Sequence, residues 1–123
     1  MNRVTHFEIA AANPEKAAQF YREVFGWNVA GWPGDDEYWT LTTGPETEEG
    51  IDGGVYGKKN DAQQPVTVSV SVNSIDDYVA RVIARGGRVV VPKREISGVG
   101  WLAYCCDCDG VVFCLHQENL VAE

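Results

Sequence analysis

Hydrophobic and polar positions along this chain change their period in an order that occurs twice. "VTHFEIAA", residues 4–11, alternates: Phe7 and Ile9 share one face, Val4, His6 and Glu8 the other, which is the two-residue period of a strand. "NPEKAAQFYREVFG", residues 13–26, shifts to helical spacing, with Ala17, Phe20, Tyr21, Val24 and Phe25 as its apolar stripe. Asn13 suits the N-cap, Pro14 the first helical position and Gly26 the C-terminal cap. In the second half, "PVTVSVSV" is the strand: Val66, Val68, Val70 and Val72 are expected to face a helix, and Thr67, Ser69 and Ser71 to face away. "NSIDDYVARVIARGG" is the helix, capped by Asn73 and Gly86, with Ile75, Tyr78, Val79, Val82 and Ile83 as its stripe. These caps stand 60 residues after Asn13 and Gly26. The strand faces agree only if His6 matches Thr67 and Glu8 matches Ser69, which places one extra residue in the first connection.

Three short strands are predicted after each helix. The first set is "WNVA", "YWTLTT" and "IDGGVYG"; the second is "RVVVP", "WLAYCC" and "VVFCLHQ". Polar, glycine-rich stretches separate them, "GWPGDDE" and "GPETEEG" in one half, "KREISGVG" and "DCDG" in the other. The expected fold is therefore α+β: two βαβββ modules, module one at 1–57 and module two at 66–123, joined by a polar linker at 58–65 within a single domain. Their curled mixed sheets are expected to enclose a cleft, a sensible place for a small-molecule site. In the last strand Val111, Phe113 and Leu115 share one face and Val112, Cys114 and His116 the other. The cleft lining is then His6, Glu8, Thr67, Ser69, Cys114 and His116. Trp39, Tyr56 and Trp101 are candidates to stack on a planar ligand. Tyr38 and Trp39 are adjacent on one strand, so only one of them can line the cleft.

Composition narrows the classes. A chain of 123 residues, 45% hydrophobic and 23% charged, is one ordinary globular domain. A net charge of −8 argues against nucleic acid as a partner. No apolar run approaches the roughly 20 residues of a membrane span, and "MNRVTHFEIAAANPE" has no secretory character; a cytoplasmic protein is expected, with no membrane partner. Cys105, Cys106, Cys108 and Cys114 lie within ten residues, too close together for a disulfide framework. Free thiols are expected. The C-x-x-C at Cys105–Cys108 leaves open a structural zinc or redox element, although no second pair completes it.

"HFEIAAANPEKAAQFYREVFGW", "GIDGGVY" and "GVGWLAYCCDCDGVVFCLHQ" resemble the vicinal oxygen chelate superfamily, which groups glyoxalase I, bleomycin-resistance proteins and extradiol dioxygenases. The resemblance runs along nearly the whole chain. It implies a homodimer and a small-molecule ligand, and in metal-dependent members it implies four ligands, from the first, fourth, fifth and eighth strands. Carried over, those positions fall on His6, which fits, on Thr67 and Cys114, which do not, and on the fourth strand, where Asp52 is the one oxygen candidate. No cofactor is firmly implied, and a divalent zinc, nickel, manganese or iron ion remains an alternative held by His6. In the catalytic reading, a lyase or isomerase acts beside a carbonyl and His6 and Glu8 handle the protons; Thr67, Ser69, Trp39, Tyr56, Trp101, Cys114 and His116 hold the ligand. In the alternative, the protein sequesters a small aromatic or cationic compound without chemistry.

Overall fold

The computed structural model describes residues 1–34, 36–60 and 63–118. Its elements run β1 (Arg3–Ala11), α1 (Pro14–Phe25), β2 (Asn28–Gly31), β3 (Tyr38–Thr42), β4 (Asp52–Gly57), β5 (Val66–Ser71), α2 (Ile75–Ala84), β6 (Arg88–Ile96), β7 (Gly100–Cys106) and β8 (Val112–Glu118). That order is the doubled βαβββ pattern of a glyoxalase-like α+β fold. The chain divides into two compact units, one of His6–Thr67 and one of Met1–Thr5 with the residues from Val68 on. The division falls inside β1 and β5. Residues 1–5 join the second unit through backbone and side-chain bonds: Asn2 N donates to Ser71 O at 2.7 Å, Asn2 Nδ2 donates to Tyr78 OH at 2.9 Å, and the Thr5 and Ser71 hydroxyls lie 2.7 Å apart.

In the first unit the strands are ordered β2-β3-β4-β1. β1 and β4 run parallel, and the other pairs are antiparallel. Helix α1 packs across β2, β3 and β4. Asn13 Oδ1 accepts from Lys16 N at 3.2 Å, and Gly26 closes the helix in the left-handed region with its N–H on Arg22 O. Ala18, Leu41 and Val55 form the buried centre, ringed by Phe7, Ile9, Ala17, Tyr21, Trp27 and Trp39. The predicted stripe is only partly used: Phe20, Val24 and Phe25 are 58%, 54% and 59% exposed. The physical reason is the contact line, since Ala18 is the fully buried residue and the helix is rolled toward it. Phe25 stacks on Trp27 at 5.2 Å from outside, and Phe20 meets Tyr21 edge-on at 5.5 Å.

In the second unit the order is β5-β8-β7-β6, with β5 and β8 parallel. Helix α2 packs on β6, β7 and β8 over a core of Val72, Ile75, Ala103, Cys105 and Leu115. Its N-cap is Ser74, not Asn73; Ser74 Oγ accepts from Asp77 N at 3.2 Å. The caps Asn13 and Ser74 are then 61 residues apart, the same offset as the strands, so no extra residue sits in the first connection. α2 is instead shorter, at 10 residues against 12, and Ile83 stays 56% exposed at its end. β5 departs from its expected polarity: Thr67 and Ser69 are 4% and 5% exposed, whereas Val66 and Val68 are 53% and 38% exposed. Alternation holds, but α2 covers only Val70 and Val72 of the valine face. β6 also extends through Pro92 to Ile96, with two register shifts against β7; its terminal place in the strand order tolerates a proline.

Candidate functional site

Strand register places the site face. Across β1 and β4, His6 pairs with Asp52, Glu8 with Gly54 and Ala10 with Tyr56. Across β3 and β4, Tyr38 pairs with Tyr56 and Thr40 with Gly54. His6, Glu8, Tyr38, Asp52 and Tyr56 therefore share the face turned away from the α1 core. The Gly53-Gly54 pair explains how two rings fit on one strand. A Cβ on Gly54 would collide with the Tyr38 phenol, and one on Gly53 would come within 2.6 Å of the Phe7 ring on the opposite face.

Tyr38 lies over Gly54 and links the two candidate proton carriers. Its hydroxyl donates to Glu8 Oε2 at 3.0 Å. A phenol has one proton, so in the 3.1 Å contact with His6 Nε2 the imidazole N–H is the donor. The result is a directed chain, His6 to Tyr38 to Glu8, along which a proton reaching the imidazole can be relayed to the carboxylate.

Tyr56 stands beside this chain. Gln63 Nε2 donates to its hydroxyl at 3.3 Å, while Gln63 Oε1 accepts the Lys59 backbone N–H at 2.8 Å. The second bond fixes which end of the amide faces the phenol. Burial, and then the nearby Glu8 charge, push the Tyr56 phenol above its ordinary 10.0, with the Gln63 bond pulling the other way. Tyr56 is thus a neutral donor at physiological pH. Thr67 Oγ1 accepts from Gln64 Nε2 at 3.2 Å. Asp52 Oδ1 is occupied by the Thr43 N–H at 2.9 Å, closing the acidic loop 44–51 at its base.

The remaining site candidates fall elsewhere. Trp39 packs with the α1 core and donates from Nε1 to Glu37 Oε2 at 2.9 Å, so Tyr38, not Trp39, occupies the site face. Trp101 packs with the α2 core, with Lys93 Nζ 5.1 Å from its ring centroid. Strand register decides both: Trp39 pairs with the buried Val55, and Leu102, not Trp101, pairs with His116. In the second unit, Ser69 pairs with Cys114 and Ser71 with His116 on one face. Cys114 is 1% exposed. His116 Nε2–H donates to Val99 O at 3.1 Å, because a carbonyl can only accept. All four cysteines are free. Cys105 lies in the α2 core while Cys108 is exposed, and burial followed by the neighbouring Cys106 raises the Cys105 thiol pKa.

A glyoxalase-like domain model matches residues 6–116. The chain belongs to that family. Among curated proteins, this glyoxalase-like chain is 27% identical over 128 residues to "Anthracycline biosynthesis protein DauV" of Streptomyces sp. (strain C5), covering 94% of the chain and 46% of that protein. It is 24% identical over 115 residues to "Putative glyoxylase CFP32" of Mycobacterium bovis, covering 91% and 44%. The chain thus spans about half the length of the curated relatives it matches. Among solved structures, methylmalonyl-CoA epimerase in complex with methylmalonyl-CoA and NH4+ superposes with a TM-score of 0.74 at 18% identity, covering 100% of this chain and 99% of that one. The Mycobacterium tuberculosis methylmalonyl-CoA epimerase gives 0.71 at 14% identity, covering 94% and 87%. These likenesses establish the shared fold.

The residues at the superfamily's ligand positions do not fit a hard divalent ion. Thr67 offers a neutral hydroxyl and Cys114 a thiol sealed from solvent, where imidazole and carboxylate donors are needed. Among the described residues, no group of three or more His, Cys, Asp or Glu side chains is placed to hold a metal.

Sequence reasoning left the choice between Tyr38 and Trp39 open, and two further partners in this site, Gln63 and Gln64, escape it. The Gly-Gly pair at 53 and 54 is a signal that could have favoured Tyr38, since glycines on a strand mark a close approach.

Proposed function

We propose that this glyoxalase-like chain is an isomerase or lyase that moves a proton beside a carbonyl of a small molecule. His6 and Glu8 act as the proton carriers and Tyr38 as the link between them. The observation behind this reading is the directed hydrogen-bond chain from His6 through Tyr38 to Glu8. It provides the positioned base that enolisation requires, joined by hydrogen bonds to a second proton carrier. The relative named as a glyoxylase and the epimerase neighbours, one bound to a thioester of a branched malonate, are in keeping with that chemistry. The homodimer and cytoplasmic location implied by the superfamily belong to the same proposal. Among the described residues no helix is long and apolar enough to cross a membrane.

The test is solvent exchange. In deuterium oxide, the protein is expected to exchange the α-hydrogen of methylmalonyl-CoA or of a 2-oxoaldehyde hemithioacetal, followed by proton NMR. His6→Ala and Glu8→Gln should each slow exchange by roughly 10²- to 10⁴-fold while the far-ultraviolet circular dichroism is unchanged. Exchange that persists in both variants would overturn the assignment. The replacement of hard donors by Thr67 and Cys114 favours a second reading, sequestration without chemistry. Saturable quenching of tryptophan fluorescence by these compounds, with no exchange, would establish that reading instead.

A further inference from the structure

Enolisation needs an electrophile as well as a base, and Thr67 and Cys114 at the expected metal positions do not fit a hard ion for that role. We infer that Tyr56 is the electrophile, its hydroxyl donating to the carbonyl oxygen that becomes negative when the α-proton leaves. This inference rests on the proton-transfer reading above and adds a catalytic residue to it.

Three observations lead to Tyr56. It pairs with Tyr38 across β3 and β4 and so shares the face of His6 and Glu8. Its oxygen already accepts from Gln63 Nε2, whose orientation is fixed by the Lys59 N–H. An accepted hydrogen bond polarises the phenol and makes its own proton a better donor. Among the described residues that proton is directed to no protein acceptor, whereas the Tyr38 proton is spent on Glu8. Of the two phenols on the face, only Tyr56 has a proton to offer a ligand.

The electron count closes without another reactant. The base removes the α-proton, the C–H pair becomes the carbon–carbon π bond, and the carbonyl π pair moves onto oxygen. As the proton is relayed toward Glu8, its negative charge is neutralised while a new one forms on the oxygen beside Tyr56. The charge changes place rather than accumulating. Return of the proton to carbon from either face regenerates the carbonyl or its isomer. A single phenolic donor grips one oxygen, so the substrate class is a carbonyl compound or thioester with one acceptor oxygen at the reacting end, with no need for two vicinal oxygens to chelate an ion.

The test uses the nitronate anion of nitroethane, a planar oxyanion with the shape and charge of an enolate, and neutral nitroethane as its control. Wild-type protein is expected to bind the nitronate more tightly than nitroethane by titration calorimetry. Tyr56→Phe should weaken nitronate binding roughly ten- to hundred-fold, as expected for losing a hydrogen bond to a charged group, and leave nitroethane unaffected. Gln63→Leu, which keeps the phenol, should give a smaller loss in the same direction. Nitronate binding equal in wild type and Tyr56→Phe would overturn the Tyr56 assignment and leave the proton-transfer reading standing. Wild-type protein that does not bind the nitronate at all would overturn both.

Discussion

Tyr56 and Cys105 show how burial and a neighbouring charge set the chemistry of single side chains. Both are pushed toward their protonated forms, Tyr56 by burial and then Glu8, Cys105 by burial and then Cys106. For Tyr56 the folded chain holds its proton more tightly than the unfolded chain does. Its contribution to stability is therefore fully present below about pH 10 and is lost as the pH rises through the higher folded value. Titration of tyrosinate absorbance on the native protein should show a late-ionising phenol that disappears in Tyr56→Phe. The same phenol should ionise earlier in Glu8→Gln, because the second cause of its shift is gone. A late phenol that survives Tyr56→Phe would assign the shift to another ring. The thiols follow the same logic: Cys105 is protonated and enclosed, so it is a core side chain rather than a nucleophile.

At the scale of the element, the site depends on a strand that gives up side chains to admit rings. Gly53 and Gly54 leave β4 with nothing between its backbone and two aromatics, Phe7 on the core face and Tyr38 on the site face. Gly54→Ala should cost about 1–3 kcal/mol in urea unfolding, the usual penalty for forcing atoms into a filled space. Gly44→Ala is the control, since its added Cβ would meet nothing closer than Glu48 Oε1 at 3.6 Å, and it should shift stability by no more than about 0.5 kcal/mol. Combining Gly54→Ala with Tyr38→Ala should recover part of the loss, and strictly additive effects would show that the two do not touch. The same strand marks the border of what could be read beforehand. Alternation placed His6 and Glu8 on one face and Phe7 and Ile9 on the other, because that face is set by nearest neighbours in sequence. Parity alone could not choose between Tyr38 and Trp39, because the choice depends on which strand β3 pairs with and in which register. Helical spacing located both helices, yet it overstated their buried faces: Phe20, Val24, Phe25 and Ile83 match the period and remain exposed. Period reports which residues share a side, while the width of the covered stripe depends on the strands beneath. Gln63 was illegible for a different reason, since nothing local in a polar linker distinguishes an amide bonded to a phenol from one bonded to water.

For the molecule as a whole, the two βαβββ modules have diverged in what they offer. The first assembles His6, Tyr38, Glu8 and Tyr56 on one face, with Gln63 of the linker bonded to Tyr56. The corresponding face of the second presents Ser69, Cys114 and His116, two of them buried and the third bonded to Val99 O. The metal positions that the superfamily resemblance implies draw on both modules, whereas the proposed relay through His6, Tyr38 and Glu8 needs only the first. This difference has a direct consequence. Treatment with a chelator followed by gel filtration should leave α-proton exchange within about twofold of the untreated protein, a change smaller than 1 kcal/mol in barrier height. Adding zinc, nickel, manganese or iron to the stripped protein should not raise the rate, because a neutral hydroxyl and an enclosed thiol supply little of the binding energy that a hard ion demands. Activity abolished by the chelator and restored by one equivalent of a single metal would return the electrophile's role to an ion held through His6. Tyr56→Phe would then lower the rate of the metal-loaded protein only slightly.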